Sequence, residues 1–440
     1  MKLSIKNFAK IKNADITIDG ITVIAGENNT GKSTVGKILF SLFNSLSNVN
    51  EKILEERLKE IQSSNRMTVL TSMYERKKLM EVGTRVAFHI TEQIRRRLKR
   101  ELSAAGSISD TKLEEVIEDA VIAALDLKQE ETYDWKDTIQ ELYNNTKEIL
   151  NLPENDLILE VVSRYFKSVF HSQIDSLFHD TGENTEVNLE IKGKTEELLF
   201  VNSNCERLKD DVKIIHKAIY IDNPFVVDEL SRYRDSGNPM NDMLIGLLTA
   251  KERDNVMDGI VESVRAKEKL NDIYRTLQNV IEGEILFNQS NEEYYLKNKK
   301  FSEPISFHNL STGMKSFVIL KMLLERGCLK EKDVVILDEP EIHLHPQWQI
   351  AYAELIVLLQ KQFDLSVVVT THSPYFVDAI NLFSCKYETD SKVNYYLSSN
   401  NGKAVEMECV TSNIDLIYKK MASPIQMLDT LRYELNHNGE

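Results

Sequence analysis

A glycine-rich stretch near the amino terminus is the feature that most limits how this chain of 440 residues can fold. Residues 21–25 (ITVIA) form an apolar run typical of a buried strand, and helical spacing of apolar residues begins at Thr34. The segment between them, GENNTGKS at residues 26–33, matches the pattern G-x-x-x-x-G-K-S/T. A strand that passes through such a loop directly into a helix predicts an α/β fold.

Composition favours a helix-rich α/β protein without membrane spans. Gly (16) and Pro (8) are scarce, which favours long helices over turn-rich β architecture. No uninterrupted apolar run approaches the ~18 residues that a membrane helix needs, so a membrane-spanning subunit is excluded. The formal charge of −15 argues against general affinity for nucleic acid, so any DNA contact must come from a local patch.

Two features of the sequence predict a cytoplasmic location. The amino-terminal residues alternate between apolar and polar, and they lack the continuous apolar core of a signal peptide. The four cysteines lie far apart and show no Cys-x-x-Cys spacing, which fits a reducing compartment.

The pattern of apolar residues divides the chain into three parts. Residues 1–45 contain the first strands and the glycine-rich loop, residues 46–180 are predicted to be a helical insertion, and residues 181–440 return to strands alternating with helices. Asp19-Gly20 suits a type I′ turn, so the strands on either side are expected to form a hairpin. One long helix of the insertion is predicted to carry an apolar stripe: Leu79, Val82, Val86, Ile90, Ile94, Leu98 and Leu102.

The glycine-rich loop has the chemistry of a phosphate-binding site. Its glycines let successive backbone N–H groups converge on phosphate oxygens at a helix N-terminus, where the dipole favours negative charge. Lys32 is expected to reach the β and γ phosphates of ATP, and Ser33 to offer its hydroxyl to Mg²⁺. The predicted nucleotide-binding residues of the loop are Gly26, Glu27, Asn28, Asn29, Thr30, Gly31, Lys32, Ser33 and Thr34.

A second apolar run supplies the acidic partner that a bound Mg²⁺ requires. Residues 334–337 (VVIL) have the composition of a buried strand and lead into Asp338-Glu339, so two carboxylates emerge at the carboxyl edge of a sheet. Asp338 is expected to hold Mg²⁺, usually through water, and Glu339 to orient and deprotonate the attacking water. A solvated strand end is the alternative, and the glycine-rich loop favours the catalytic interpretation.

Two further motifs are ambiguous when each is taken alone. Residues 310–313 (LSTG) place a hydroxyl and a glycine at a predicted helix start. A serine in that position is also typical of an ordinary N-cap without a further role. Residues 365–371 (LSVVVTT) form another buried strand, which ends at His372 and Ser373. A single histidine in such a position is more often a structural hydrogen-bonding group than a catalytic one.

Taken together and in this order, the four motifs resemble those of the ATP-binding cassette superfamily: the phosphate loop, the signature LSTG, the Walker B strand VVILDEP and the switch histidine in TTHS. The resemblance covers residues 1–45 and about 185–385, and it implies an ABC-type P-loop NTPase head with a helical insertion. In that family two heads pair head-to-tail around ATP. The resemblance therefore implies that Ser311 and Gly313 contact the γ-phosphate across a homodimer or higher homo-oligomer, and that Lys32, Glu339 and His372 act in catalysis. The Mg²⁺-sensing glutamine of the family has no clear counterpart here.

Residues 338–349 (DEPEIHLHPQWQ) look like the OLD-like branch of cassette ATPases. The 68 residues after His372 are expected to be too few for the nuclease domain that OLD nucleases add. Residues 414–435 (IDLIYKKMASPIQMLDTLRYEL) resemble the C-termini of stand-alone Septu-type, PARIS-type and retron-associated anti-phage defence ATPases. That similarity implies a separate nuclease or toxin chain as the partner. His343 and His345 are expected to shape the dimer-contact loop, because a His-x-His metal site lacks further ligands at evident spacing.

The insertion leaves the contact with DNA open. The basic run from Arg95 to Arg100 is compatible with a solvated face balanced by Glu92 and Glu101, and with a patch that contacts DNA or a partner. The predicted function is ATP-driven regulation of a separate effector in anti-phage defence. The alternatives are a DNA repair or recombination clamp of RecF or SMC type and an ATP-binding scaffold with little hydrolysis.

Overall fold

The computed structural model describes residues 1–75, 80–125, 134–178, 184–210, 214–232, 237–250, 260–400 and 404–437. The chain forms two compact units. The head comprises Met1–Ser47 and Val162–Glu440, and the helical unit comprises Asn48–Val161. The helical unit lies inside the range predicted for the insertion, residues 46–180.

The strands of the head are β1 (Lys2–Phe8), β2 (Ile11–Thr17), β3 (Ile21–Gly26), β4 (Thr185–Ile191), β5 (Lys194–Val201), β6 (Asn204–Asp210), β7 (Ala218–Ile221), β8 (Glu284–Asn288), β9 (Glu293–Lys297), β10 (Ile305–Ser306), β11 (Val334–Asp338), β12 (Ser366–Thr371), β13 (Val393–Asn400) and β14 (Val405–Cys409). Eleven of them form one mixed sheet in the order β6-β5-β4-β1-β2-β14-β13-β3-β12-β11-β7. The other three form a small sheet in the order β10-β9-β8.

The α-helices are α1 (Lys32–Leu46), α2 (Val49–Glu75), α3 (Met80–Ala105), α4 (Asp110–Leu125), α5 (Lys136–Leu150), α6 (Glu154–Phe170), α7 (Pro239–Thr249), α8 (Ile260–Val280), α9 (Thr312–Glu325), α10 (Pro346–Phe363), α11 (Pro374–Lys386) and α12 (Asp415–His437). Helices α2 to α5 belong to the helical unit. In the ranges given above, no helix has both the length and the apolar character needed to cross a membrane.

Four of the parallel strands of the head, β3, β12, β11 and β7, lie side by side at one end of the large sheet. β12 pairs in parallel with β3 on one side and with β11 on the other, and β11 pairs in parallel with β7. Every residue of β3 is buried, as are the apolar residues of β11 and β12. Parallel strands covered on both faces read as continuous apolar runs, which explains why the sequence identified these strands. The predicted α/β fold class is confirmed, and the carboxyl ends of the four strands meet at one edge.

The predicted hairpin at Asp19-Gly20 was wrong. β2 pairs with β1 and β14, and β3 pairs with β13 and β12, so two strands separate β2 from β3. The reason is that β3 is buried on both faces and takes parallel partners, whereas β2 alternates between buried and exposed residues. Gly20 has a φ of 61°, and a Cβ there would lie 2.3 Å from the carbonyl oxygen of Lys392. Close approach of the chain before β13 therefore explains this glycine.

The helical unit has its own hydrophobic core. Ile90, Ile94 and Leu98 of α3 are fully buried, while Val86 and Leu102 are partly buried against them. The core also contains residues from the neighbouring helices: Leu58, Ile61, Ile117, Val121 and Leu142. The predicted apolar stripe is confirmed from Val86 to Leu102. Leu79 and the side chain of Val82 lie outside the described residues.

A glycine lets α1 lie close to the sheet of the head. A Cβ at Gly36 would lie 2.7 Å from Cγ2 of Ile336 on β11 and 3.1 Å from Cε2 of Tyr220 on β7. Real Cβ atoms essentially never lie 2.7 Å from another atom, so only glycine fits here without a shift of the Ile336 side chain. The approach brings the first residues of α1, Lys32 and Ser33, to the carboxyl edge of β11.

Gly36→Ala is expected to lower the free energy of unfolding by about 1–2 kcal/mol. The overpacking cost of ~1–3 kcal/mol exceeds the ~0.5–1 kcal/mol that replacing a helical glycine normally returns. Gly246→Ala in α7 is the matched control, because a Cβ there would meet nothing within 4 Å. We expect the control to be neutral or slightly stabilising in denaturant unfolding. Equal effects of the two substitutions would contradict this account of the packing.

Candidate functional site

The glycine-rich loop connects β3 to α1 and leaves the start of the helix uncapped by a side chain. Gly31 is the N-cap of α1 with a φ of 74°, a conformation that glycine adopts without strain. A Cβ at Gly26 would lie 2.4 Å from the carbonyl oxygen of Ser398 on β13. Among the residues that the structure describes, no side chain caps α1, and the first turn of the helix contains no acidic residue. The N–H groups at the helix start and the helix dipole therefore fit an anionic phosphate.

Lys32 is buried within the loop, with only 3% of its side chain exposed. Its Nζ donates hydrogen bonds to the carbonyl oxygens of Gly26, at 3.1 Å, and of Glu27, at 2.7 Å. The same Nζ lies 3.5 Å from Oε1 of Glu339. The ammonium group is thus directed along the loop toward the acidic residues at the end of β11.

Asp338 receives hydrogen bonds from three hydroxyl groups on three elements. Ser33 of α1 donates to Oδ1 at 2.9 Å, Tyr220 of β7 donates to Oδ2 at 2.6 Å, and Thr370 of β12 donates to Oδ1. Burial and the neighbouring Asp338 carboxylate raise the pKa of the Tyr220 hydroxyl, which keeps it protonated as a donor. The Ser33 hydroxyl and the Asp338 carboxylate are oxygen ligands of the kind that Mg²⁺ prefers, so this pair fits the ion.

Glu339 lies between Lys32 and His372. Its backbone has a φ of 48°, which is uncommon for a residue with a side chain. Its N–H donates to the carbonyl oxygen of Thr370 at 3.1 Å and to the hydroxyl of Thr370 at 3.0 Å, and these bonds stabilise the conformation. Oε2 of Glu339 lies 3.8 Å from Nδ1 of His372, a half-exposed residue. The structure therefore brings the predicted Lys32, Glu339 and His372 together.

Sequence reasoning assigned no role to three residues of this site: Tyr220, Thr370 and Glu341. Tyr220 lies 118 residues before Asp338, and only the pairing of β7 with β11 brings it close. Glu341 accepts hydrogen bonds from the hydroxyl of Thr371 and from the N–H of His372. Both contacts join segments about 30 residues apart, so no local pattern reveals them.

The LSTG motif lies at the start of α9. Ser311 is the N-cap, and its hydroxyl accepts a hydrogen bond of 3.4 Å from the N–H of Met314. A Cβ at Gly313 would lie 2.9 Å from the ring of Trp348 on α10. Within the described ranges, neither Ser311 nor Gly313 makes a hydrogen bond or an ion pair with the loop of residues 26–34. The motif is thus not joined to the other site residues of the same chain.

The two histidines after β11 have structural partners. His345 is the N-cap of α10, where its Nδ1 accepts from the N–H of Gln347 at 3.4 Å. The ring of His343 packs edge-on against Phe225, with the ring centroids 5.8 Å apart. In the part of the chain that the structure describes, no group of three or more His, Cys, Asp or Glu residues is arranged to hold a metal ion.

Four residues of the basic run of the helical unit form ion pairs with carboxylates. Its ion pairs are Arg95–Glu55 at 3.1 Å, Arg96–Glu92 at 2.8 Å, Arg97–Asp119 at 2.9 Å and Lys99–Glu55. The pKa of Glu55 is lowered, chiefly by the hydrogen bond from Lys99 and also by the one from Arg95. Burial opposes this shift, but its effect is smaller than that of the bond from Lys99. Exposed pairs of this kind add little stability, but they reduce the positive field that a phosphate backbone would meet.

The fold and the loop geometry define a P-loop ATPase head. The chain belongs to the AAA ATPase domain family (AAA_15), whose profile matches residues 1–377. Members of an ATPase family bind nucleotide, usually together with Mg²⁺.

Two curated proteins have related sequences. The Septu protein PtuA of Bacillus thuringiensis is 32% identical over 109 residues, which are 22% of this chain and 24% of that protein. The chain thus spans about a quarter of its length. A putative ABC transporter ATP-binding protein of Clostridium acetobutylicum is 25% identical over 211 residues, 42% of this chain and 72% of that protein. Among solved structures, the SMC head domain from Thermotoga maritima aligns over 93% of this chain and 98% of that chain, with 12% identity and a TM-score of 0.38.

Tyr220→Phe is expected to lower the free energy of unfolding by about 1–3 kcal/mol, because it removes a donor from the Asp338 carboxylate. Tyr352→Phe is the matched control. Tyr352 is also fully buried, and its hydroxyl makes no hydrogen bond to any residue that the structure describes. Denaturant unfolding of both variants checks the prediction. A loss as large for the control would mean that removal of any buried tyrosine hydroxyl, not loss of the bond to Asp338, sets the effect.

Proposed function

We propose that this chain hydrolyses ATP at a site shared between two copies and thereby regulates a separate effector chain. The observation that supports ATP hydrolysis is the convergence of five side chains at one edge of the sheet: Lys32, Ser33, Asp338, Glu339 and His372. Together they supply a cation for phosphate, oxygen ligands for a metal ion, and a carboxylate for proton transfer.

The loop residues and α1 bind the phosphates in this proposal. The nucleotide contacts come from Gly26 to Thr34, with the backbone N–H groups and Lys32 facing the β and γ phosphates. Mg²⁺, when bound, offsets the charge of the phosphates and fixes their orientation. Ser33 and Asp338 hold the ion, and the hydroxyls of Tyr220 and Thr370 keep the Asp338 carboxylate in place.

Glu339 acts as the general base in this proposal. Its carboxylate orients the attacking water and accepts a proton from it, while His372 contacts the γ-phosphate. Oε1 of Glu339 lies 3.5 Å from Nζ of Lys32. A phosphate that attracts Lys32 competes with this ion pair, so ATP binding releases Glu339 for the water.

The second half of the site comes from a partner copy. Ser311 is exposed at the N-terminus of α9, where the helix dipole favours an anion, and Gly313 follows in the first turn. Neither residue is joined to the loop of its own chain, as described above. We therefore assign them to the γ-phosphate bound by the other copy, in a homodimer or a higher homo-oligomer.

The effector role rests on sequence similarity. The stretch at residues 338–349 resembles the OLD-like branch, and part of the chain is similar to the Septu protein PtuA. We propose that the chain acts in anti-phage defence and that the partner is a nuclease or a toxin. A DNA clamp needs unpaired positive groups, and the ion pairs of Arg95, Arg96, Arg97 and Lys99 favour the effector proposal over it.

Glu339→Gln is expected to bind ATP, to lose turnover by about 10²–10⁴-fold, and to accumulate an ATP-bound dimer. Turnover is measured as phosphate release, and the dimer by light scattering after size exclusion. Lys32→Ala is the control, and it should lose both ATP binding and the dimer. Wild-type turnover in Glu339→Gln would mean that another residue is the base.

Ser311→Arg is expected to bind ATP with normal affinity, to remain monomeric, and to lose hydrolysis by more than about tenfold, because the new side chain blocks the partner's γ-phosphate. Ser302→Arg adds the same side chain at another exposed serine and serves as the control. Analytical ultracentrifugation with ATP reports the assembly. Undiminished hydrolysis in Ser311→Arg would rule out a site shared between copies.

A further inference from the structure

Glu341 is a buried acidic residue that the roles assigned so far do not use. It follows Asp338 by three positions, in the turn after β11, and only 2% of its side chain is exposed. A buried carboxyl group is costly unless hydrogen bonds compensate for the lost water. The burial of Glu341 therefore depends on the hydrogen bonds that its side chain accepts.

One carboxyl oxygen of Glu341 makes every polar contact of the side chain. Oε1 accepts hydrogen bonds from the hydroxyl of Thr371 at 2.5 Å and from the N–H of His372 at 2.9 Å. The same oxygen lies 3.6 Å from Nδ1 of the His372 ring. Oε2 is buried and has no hydrogen-bond partner among the residues described. The side chain is thus directed at the end of β12 and the histidine that follows it.

The segment held by Glu341 is fixed on its other side as well. The N–H of Ser373 donates to the hydroxyl of Thr371 at 3.0 Å, and the hydroxyl of Ser373 donates to Oε1 of Gln349 at 2.9 Å. Nε2 of Gln349 in turn donates to the carbonyl oxygen of Leu344 at 3.1 Å. These bonds connect the turn after β11 to the end of β12, so the backbone at His372 has a defined position.

The ring of His372 lies between two carboxyl groups. Nδ1 is 3.6 Å from Oε1 of Glu341 and 3.8 Å from Oε2 of Glu339. Glu341 lies on the buried side, and Glu339 on the side of the nucleotide loop, where it contacts Lys32. A shift of Glu341 would therefore change the distance between His372 and the group proposed as the base.

We propose that Glu341 is a positioning residue for ATP hydrolysis. Its side chain is long enough to accept hydrogen bonds from Thr371 and His372, and these bonds hold His372 beside Glu339. The inference rests on the proposed function, because it gives His372 a part in turnover. For this role the length of the side chain matters more than its charge, since a neutral carboxamide oxygen accepts the same two hydrogen bonds. Burial raises the pKa of Glu341, which is consistent with a site that tolerates the neutral group.

Two substitutions of Glu341 separate the effect of side-chain length from the effect of charge. Glu341→Asp keeps the charge but is one methylene too short to meet Thr371 and His372. It is expected to lower kcat by about tenfold, because small displacements of a reacting group are costly, and to leave the affinity for ATP unchanged. Glu341→Gln keeps the length and the acceptor oxygen, so kcat should stay within about twofold of the wild type.

A double-mutant cycle tests whether Glu341 acts through His372. His372→Ala is expected to lower kcat, and adding Glu341→Asp to it should cause no further loss, because the two residues act as one unit. Glu196→Asp on β5 is the control, since Glu196 is another fully buried carboxyl group in a different part of the sheet. It should leave kcat unchanged.

Four kinetic outcomes overturn the proposal: wild-type kcat in Glu341→Asp, a loss in Glu341→Gln as large as in Glu341→Asp, full additivity with His372→Ala, or an equal loss in Glu196→Asp. Thermal unfolding and ATP binding are measured on the same samples, and loss of ATP binding in Glu341→Asp would also overturn it. Failure of the proposed function gives a different result, because the wild-type chain would then hydrolyse no ATP or His372→Ala would leave kcat unchanged.

Discussion

The Asp338 carboxylate and its three hydroxyl donors fix the geometry on which the rest of the site depends. Ser33, Tyr220 and Thr370 come from α1, β7 and β12, and each donates a hydrogen bond to this one side chain at the end of β11. Hydrogen bonds to a charged group are among the stronger ones in proteins. The bonds therefore connect the start of α1, which contains the loop lysine, to the edge where the parallel strands end.

The acidic residues after Asp338 have distinct surroundings, and these surroundings account for their different proposed roles. Glu339 is partly exposed between Lys32 and His372, where a water molecule has access. Glu341 is buried and bound to the backbone of the next strand. The carboxyl group of Glu339 thus faces solvent, which suits it to proton transfer. The carboxyl group of Glu341, in the same short turn, faces the protein interior, which suits it to positioning.

The sequence was sufficient for the parts of the fold and site that local spacing determines. The loop of residues 26–33, the apolar runs of β11 and β12, and the stripe on α3 all follow from neighbouring residues, and the structure contains each of them. Strand pairing is not local, which is why the hairpin at Asp19-Gly20 was predicted wrongly. The contact of Tyr220 with Asp338 was missed for the same reason, because it depends on the parallel pairing of β7 with β11.

In the proposed assembly, each ATP is bound by the loop of one copy and the LSTG motif of another. The most direct test mixes Lys32→Ala with Ser311→Arg, which damage opposite halves of that site. In a mixed dimer, one site combines the intact loop of one chain with the intact motif of the other. Because neither variant is expected to pair with itself, the mixture should form mixed dimers and hydrolyse ATP at up to about half of the wild-type rate per chain, while each variant alone stays more than about tenfold below the wild type. A mixture as inactive as its components would contradict the shared site.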